Sequence, residues 1–169
     1  MTELLILRVL HVLGGIFWVG SMLFNTFYLA PALGAAGPAA SQVGMNLQKR
    51  GAFTALPIAA IVTMLAGARL MMIGARMAPG GAYFASPVGK TYSIGGALAV
   101  IAFLFGLIVV RPAMMRSAAI AGTMTSDGAT RDRIQAELRA LQSRGRWSSL
   151  VVAILLIGAA LCMSIARYV

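Results

Sequence analysis

The residues able to do chemistry inside this chain are few. His11 is its only histidine and Cys162 its only cysteine. Winding residues 4–30 as an α-helix, at about 100° per residue, sets Arg8, His11, Gly15, Trp18, Met22 and Asn25 on one stripe. A neighbouring stripe of Leu5, Val9, Val12, Ile16, Val19, Leu23 and Phe27 is wholly apolar. In hydrocarbon, that division separates a lipid face from a face turned towards protein or a cofactor. His11 lies about 10 Å along the helix from its start, at 1.5 Å per residue. Cys162 and Met163, late in the last apolar segment, fall at a similar depth from the same side. Met71, Met72 and Met77 end the second segment there. Imidazole, thiol and thioether are soft donors suited to copper(I), and His with Met ligates haem iron. Arg8, one turn from His11, suits a haem propionate. The competing reading makes His11 a hydrogen-bonding link between helices, the methionines apolar filler and Arg8 a side chain reaching for the interface.

The composition says where these residues sit. Of 169 residues, 60% are hydrophobic and 11% charged. The mean hydropathy is +0.88. A water-soluble domain of this size needs far more polar surface. Four stretches, about 4–30, 53–75, 92–110 and 148–166, reach the ~20 apolar residues that cross a bilayer. They account for residues 1–169 as one all-α domain, a four-helix transmembrane bundle. The first stretch reads as a retained helix. It begins with Glu3 instead of a basic run, is long for a leader, and lacks a small-residue cleavage site.

The net charge of +10 is unevenly placed. Lys49, Arg50, Arg111, Arg116, Arg131, Arg133, Arg139, Arg144 and Arg146 make nine cations on one side of the bundle; Arg8, Arg69, Arg76, Lys90 and Arg167 make five on the other. The positive-inside rule then predicts a bacterial inner-membrane protein with both termini outside, in the periplasm. The basic face is expected to meet anionic lipid rather than nucleic acid.

Punctuation refines the spans. Pro31 is expected to end helix 1, and Pro112 helix 3. Residues 39–48 suit a short interfacial helix. Thr123 to Thr130 reads as a turn centred on Asp127-Gly128. Ile134, Leu138 and Leu141 mark a short amphipathic cytoplasmic helix over 131–144, ahead of helix 4. Tyr83 and Phe84 suit the headgroup level, and Trp147 suits an anchor for helix 4. Small residues line several faces: Ala59, Ala60, Thr63, Ala66 and Gly67 on helix 2; Gly95, Ala99, Ala102 and Gly106 on helix 3; Gly158, Cys162 and Ala166 on helix 4. With Gly15 and Trp18, they predict close helix packing, within the bundle or against partners.

Other chemistry lacks its parts. Ser86-Pro87-Val88-Gly89-Lys90-Thr91 imitates the end of a phosphate-binding loop, but Phe84 stands where the loop needs glycine. Four acidic residues, none within a span, leave no proton relay. Hydrolase and metal-hydrolase constellations are missing too.

The stretch LRVLHVLGGIFWVGSMLF, with His11, Trp18 and Gly20, resembles the first helix of the copper-resistance D-like membrane proteins. That group in turn resembles the bacterial membrane-bound protoporphyrinogen oxidases, which bind haem. The whole chain is similar to a set of small uncharacterised bacterial four-helix proteins. In these, LAPALGAAGPA (here Leu29 to Ala39) follows helix 1 and RPAMMR (Arg111 to Arg116) follows helix 3. The larger families bring further intramembrane histidines, so His11 alone carries over. Two functions follow. One is a non-catalytic accessory or scaffold subunit, without a cofactor, packed among other integral membrane subunits of a respiratory or photosynthetic complex. The other is a haem b- or copper-binding protein, with His11, Arg8 and Met163 at a haem or His11, Cys162 and Met163 at a metal.

Overall fold

The computed structural model describes residues 1–36, 39–113, 115–116 and 128–169. Every element among them is helical. The elements are α1 (Thr2–Ala35), α2 (Ala39–Lys49), α3 (Ala52–Met77), α4 (Pro87–Ala113) and α5 (Gly128–Ile165). A 3₁₀ segment, Pro79–Ala85, joins α3 to α4, and another, Ala166–Tyr168, follows α5. Thr2–Ala35, Ala52–Met77, Pro87–Ala113 and Ser143–Tyr168 are each long and apolar enough to cross a membrane. This is a multi-pass membrane protein.

The helices pair in antiparallel fashion. α1 lies against α3, with Glu3 bonded to Arg69 at one end and His11 meeting Thr63 deeper in. α4 lies against α5, with Gly95 facing Cys162 and Gly158 facing Leu98. Where the pairs meet, Trp18, Ala60, Ala102, Val110, Val152 and Leu156 form the core. Trp18 of α1 meets Phe103 of α4 edge to face, with ring centroids 6.3 Å apart. Alanine recurs among the buried residues, as expected where backbones must approach closely without a hydrophobic drive to do so.

The first helix runs past Pro31 to Ala35, and the third takes in Pro112 and is described to Ala113. A π-turn over Asn25–Leu29 precedes Ala30-Pro31, and one over Gly106–Val110 precedes Arg111-Pro112. The offset is the same in both. Proline lacks an amide proton, and its ring crowds the carbonyl four residues back. Widening the turn just before it, with Ala30 N–H bonding to Asn25 O and Arg111 N–H to Gly106 O, lets the helix run on.

The amphipathic segment also differs from expectation. It is not a separate helix: Gly128–Ile165 is one unbroken helix of 38 residues, about 57 Å long. Only Gly145 interrupts good helix formers between the polar and apolar parts, and one glycine costs about 1 kcal/mol, too little to break a helix held at one end by packing. The expected turn at 123–130 falls mostly outside the described residues. α2 is a helix, as residues 39–48 indicate. It turns into α3 through Gly51, whose φ of +77° is a left-handed conformation that suits glycine.

The phosphate-loop imitation is a helix start. Ser86 caps α4: its hydroxyl accepts from Gly89 N–H at 3.1 Å and donates to the Tyr83 carbonyl at 2.6 Å. Pro87 fills the first helical position. Gly89 is buried directly under the Tyr83 carbonyl, where any Cβ would collide with backbone.

Candidate functional site

His11 Nδ1 lies 2.8 Å from the carbonyl oxygen of Thr63. A carbonyl only accepts, so Nδ1 carries the proton in this contact; in the neutral ring that leaves the lone pair on Nε2. In a regular helix that carbonyl also takes the amide of Gly67, four residues on. Its second lone pair serves the imidazole. The Thr63 hydroxyl turns back to the Ala59 carbonyl at 2.7 Å. Two glycines make this possible. Gly67 leaves the space the ring occupies: a Cβ there would stand 2.7 Å from His11 Cε1 and 2.8 Å from Nδ1. Gly14 lets Thr63 approach α1, since a Cβ there would stand 2.5 Å from the Thr63 hydroxyl oxygen. Gly15 rests on the Thr63 methyl. His11 is half-buried, and Thr63 is buried.

About two turns nearer the start of α1 than His11, Arg69 grips Glu3, with nitrogen–oxygen distances of 2.7 and 2.8 Å. Both side chains are substantially exposed, so the pair contributes little to stability. Arg8 is exposed, beside Met1, Thr2, Leu4 and Leu5. The nearby carboxylate, Glu3, is already engaged by Arg69, and an unpaired guanidinium gains nothing by turning inward.

The remaining predicted residues lie elsewhere. Cys162 and Met163 pack on α4 at Gly95, whose added Cβ would meet Cys162 Cβ at 2.9 Å and Met163 Cε at 3.2 Å. No described contact joins either to His11. Met71 approaches Gly96 of α4. Among the described residues, no group of three or more His, Cys, Asp or Glu side chains is placed to hold a metal ion. Of the predicted packing residues, Trp18 is buried, and Gly15, Gly95 and Gly158 meet neighbouring helices of the same molecule. Gly106 has nothing within 4 Å of the Cβ it lacks.

On the first span, Leu5, Val9, Val12, Ile16 and Phe27 are exposed, as the apolar stripe requires, while Val19 packs on the core. At the C-terminal end of α3, Tyr83 sits over Gly74 and makes an edge-to-face pair with Phe84. Burial, and then the neighbouring Tyr92, push its hydroxyl above the ordinary tyrosine range, so it stays neutral at physiological pH.

Sequence reasoning identified His11 but not its partner. Thr63 and Gly67 were visible as one small-residue face on the second span. What joins them to His11 is the antiparallel pairing of the first two spans, which places residue 11 opposite 63–67.

No family model matches this chain, and neither does any curated protein or solved structure.

Proposed function

We propose that this protein is a non-catalytic accessory or scaffold subunit, held among other integral membrane subunits of a larger complex. The observation that carries this reading is the His11–Thr63 bond. The one imidazole of the chain is spent on a backbone carbonyl of the neighbouring helix, over a glycine cut to its shape. That is how a polar residue joins two membrane helices. The outward side of α1 supports it too. Leu13, Ile16, Phe17 and Phe24 are exposed around Gly20, which has open space where its Cβ would be. An energy-transducing complex, respiratory or photosynthetic, is the class of assembly proposed. The orientation proposed is both termini on the periplasmic side of a bacterial inner membrane, from the charge asymmetry.

The test is gentle purification from the native membrane. Large membrane subunits in fixed stoichiometry support the reading; a monodisperse protein that carries none refutes it. For orientation, a cysteine at exposed Gln48 should resist an impermeant thiol reagent in intact cells, and one at exposed Ala82 should react, with Cys162 replaced by serine beforehand. The reverse pattern refutes the topology.

A second reading rests on the same bond. Metal-binding histidines commonly donate their other ring nitrogen to a carbonyl or carboxylate, which fixes the tautomer. His11 Nε2 is thereby oriented for a haem iron or copper. Cys162 and Met163 pack against Gly95 instead, so among the described residues His11 is the one ligand that fits such a group. A Soret band or stoichiometric copper in the purified protein, lost in His11→Ala, would replace the first reading with this one.

A further inference from the structure

Hydroxyl side chains inside these helices bond in a consistent way. Thr63 donates to the Ala59 carbonyl at 2.7 Å, Thr91 to the Pro87 carbonyl at 2.9 Å and Ser93 to the Gly89 carbonyl at 2.7 Å. Each spends its proton on the carbonyl one turn back in its own helix. Thr26 does not. Its hydroxyl oxygen is sealed from solvent and meets no hydrogen-bond partner, the one side-chain nitrogen or oxygen so placed among the described residues. A buried hydroxyl without a partner is costly, so this atom calls for a ligand.

Thr26 is also the second residue of the π-turn Asn25–Leu29, which packs on α5. In a regular α-helix its carbonyl would take the amide of Ala30. Here Ala30 N–H bonds to Asn25 O instead. The next residue along is Pro31, which has no N–H to give. The Thr26 carbonyl therefore loses its helical donor at the same residue whose hydroxyl is unpartnered. The second π-turn is the comparison. Arg111 N–H bonds to Gly106 O and Pro112 follows, so the Leu107 carbonyl is released in the same way. Leu107 is exposed, and its side chain brings no polar group. Of the two turns, the first alone combines a released carbonyl with a sealed hydroxyl.

We propose that a water molecule is bound in the first π-turn, accepting from the Thr26 hydroxyl and donating to the Thr26 carbonyl. Water fits because it accepts and donates at once, and about two polar partners are enough to hold it in a buried place. A metal ion needs more oxygen ligands than one hydroxyl and one carbonyl supply. π-Turns recur at functional sites because the widened turn frees main-chain groups for such use. The bound water stands in for the amide that Pro31 lacks, and it gives the hydroxyl the acceptor that its own helix does not. The site does not depend on the scaffold reading: it holds for the isolated chain as well as for an assembled one.

The experiment uses the full chain, labelled with carbon-13 threonine, in phosphatidylcholine bilayers. Solid-state NMR follows magnetisation passing from water protons to each threonine Cβ. The Thr26 signal is the one that disappears in Thr26→Ser, and the Thr63 signal the one that disappears in Thr63→Ser. Thr63 is the internal control, because it is buried and its hydroxyl is already bonded to the Ala59 carbonyl. Build-up at Thr26 is expected to be several-fold faster than at Thr63. Pro31→Ala supplies the amide that the Thr26 carbonyl lacks. It should slow the build-up at Thr26 towards the Thr63 rate, with helix content by circular dichroism undiminished. Build-up at Thr26 as slow as at Thr63 in the unaltered protein overturns the proposal, since the hydroxyl would then be served by its own helix. So does a fast build-up that Pro31→Ala leaves unchanged, since the carbonyl would then not hold the water.

Discussion

Replacing Gly67 with alanine should act on His11, 56 positions away in sequence. The new methyl would lie 2.7 Å from Cε1 and 2.8 Å from Nδ1. Those are overlaps of several tenths of an ångström, so the imidazole must leave. Its departure breaks the 2.8 Å bond to Thr63 and puts a polar ring back into hydrocarbon. An interhelical hydrogen bond in lipid contributes about 0.5–2 kcal/mol. Overpacking adds about 1–3 kcal/mol where the neighbour cannot yield. Against that, alanine is the better helix former by up to about 1 kcal/mol. The net loss expected is about 1–3 kcal/mol. The sharper statement is the coupling. In a His11→Ala background the obstruction is gone, and Gly67→Ala should be neutral or stabilising by up to about 1 kcal/mol. Equilibrium unfolding in mixed detergent micelles, followed by circular dichroism, measures all four corners of the cycle. The two substitutions should depart from additivity by at least about 1 kcal/mol. If they add to within about 0.5 kcal/mol, the ring does not occupy the space above Gly67, and the account of this contact is wrong.

Amide substitutes at His11 (Asn or Gln) should keep a bond to the Thr63 carbonyl and lose less stability in the same micelle titration than His11→Leu, which loses it altogether; equal losses would show that the bond contributes nothing. Gly89→Ala should cost about 3 kcal/mol or more, because the methyl collides with the Tyr83 carbonyl, a backbone atom, and the Ser86 cap is tied to that carbonyl; a protein of unchanged thermal midpoint would refute that packing. Gly145→Ala meets nothing within 4 Å and should stabilise α5 by up to about 1 kcal/mol, while Gly145→Pro should cost about 3 kcal/mol or more by breaking one continuous helix into two. A tolerated proline there would mean that the polar and apolar parts of α5 are separate helices.

The spans were legible because hydropathy and length are properties of the chain alone. So was the apolar stripe of α1, since a helix of fixed period fixes which side chains share a face. Two features were hidden for a physical reason. Pro31 and Pro112 read as stops because proline removes a hydrogen bond; the π-turns that carry the helix past them rearrange five residues ending two positions before each proline, and nothing in composition announces that choice. The break expected before the last span reflects a change from polar to apolar sequence, but backbone continuity depends on helix propensity and not on which solvent surrounds it.

The site divides in the same way. That His11 must face inward follows from the cost of leaving an imidazole in lipid. Which helix receives it depends on pairing, and small-residue faces occur on α3, α4 and α5 alike. What discriminates them is steric. An imidazole docking onto a helix backbone needs a carbonyl with a free lone pair and, one turn on, a residue with no side chain to block the ring. Thr63 and Gly67 supply that pair on α3. The corresponding glycines of the other pair are occupied, Gly95 by Cys162 and Met163, and Gly158 by Leu98. The histidine is therefore matched to one glycine, and the match sets the register of α1 on α3. Moving α1 along α3 by one turn would carry the ring off Gly67 and onto a side chain. On this argument His11 and Gly67 work as a register lock, with Glu3 and Arg69 aligned by it at the helix ends rather than setting it themselves.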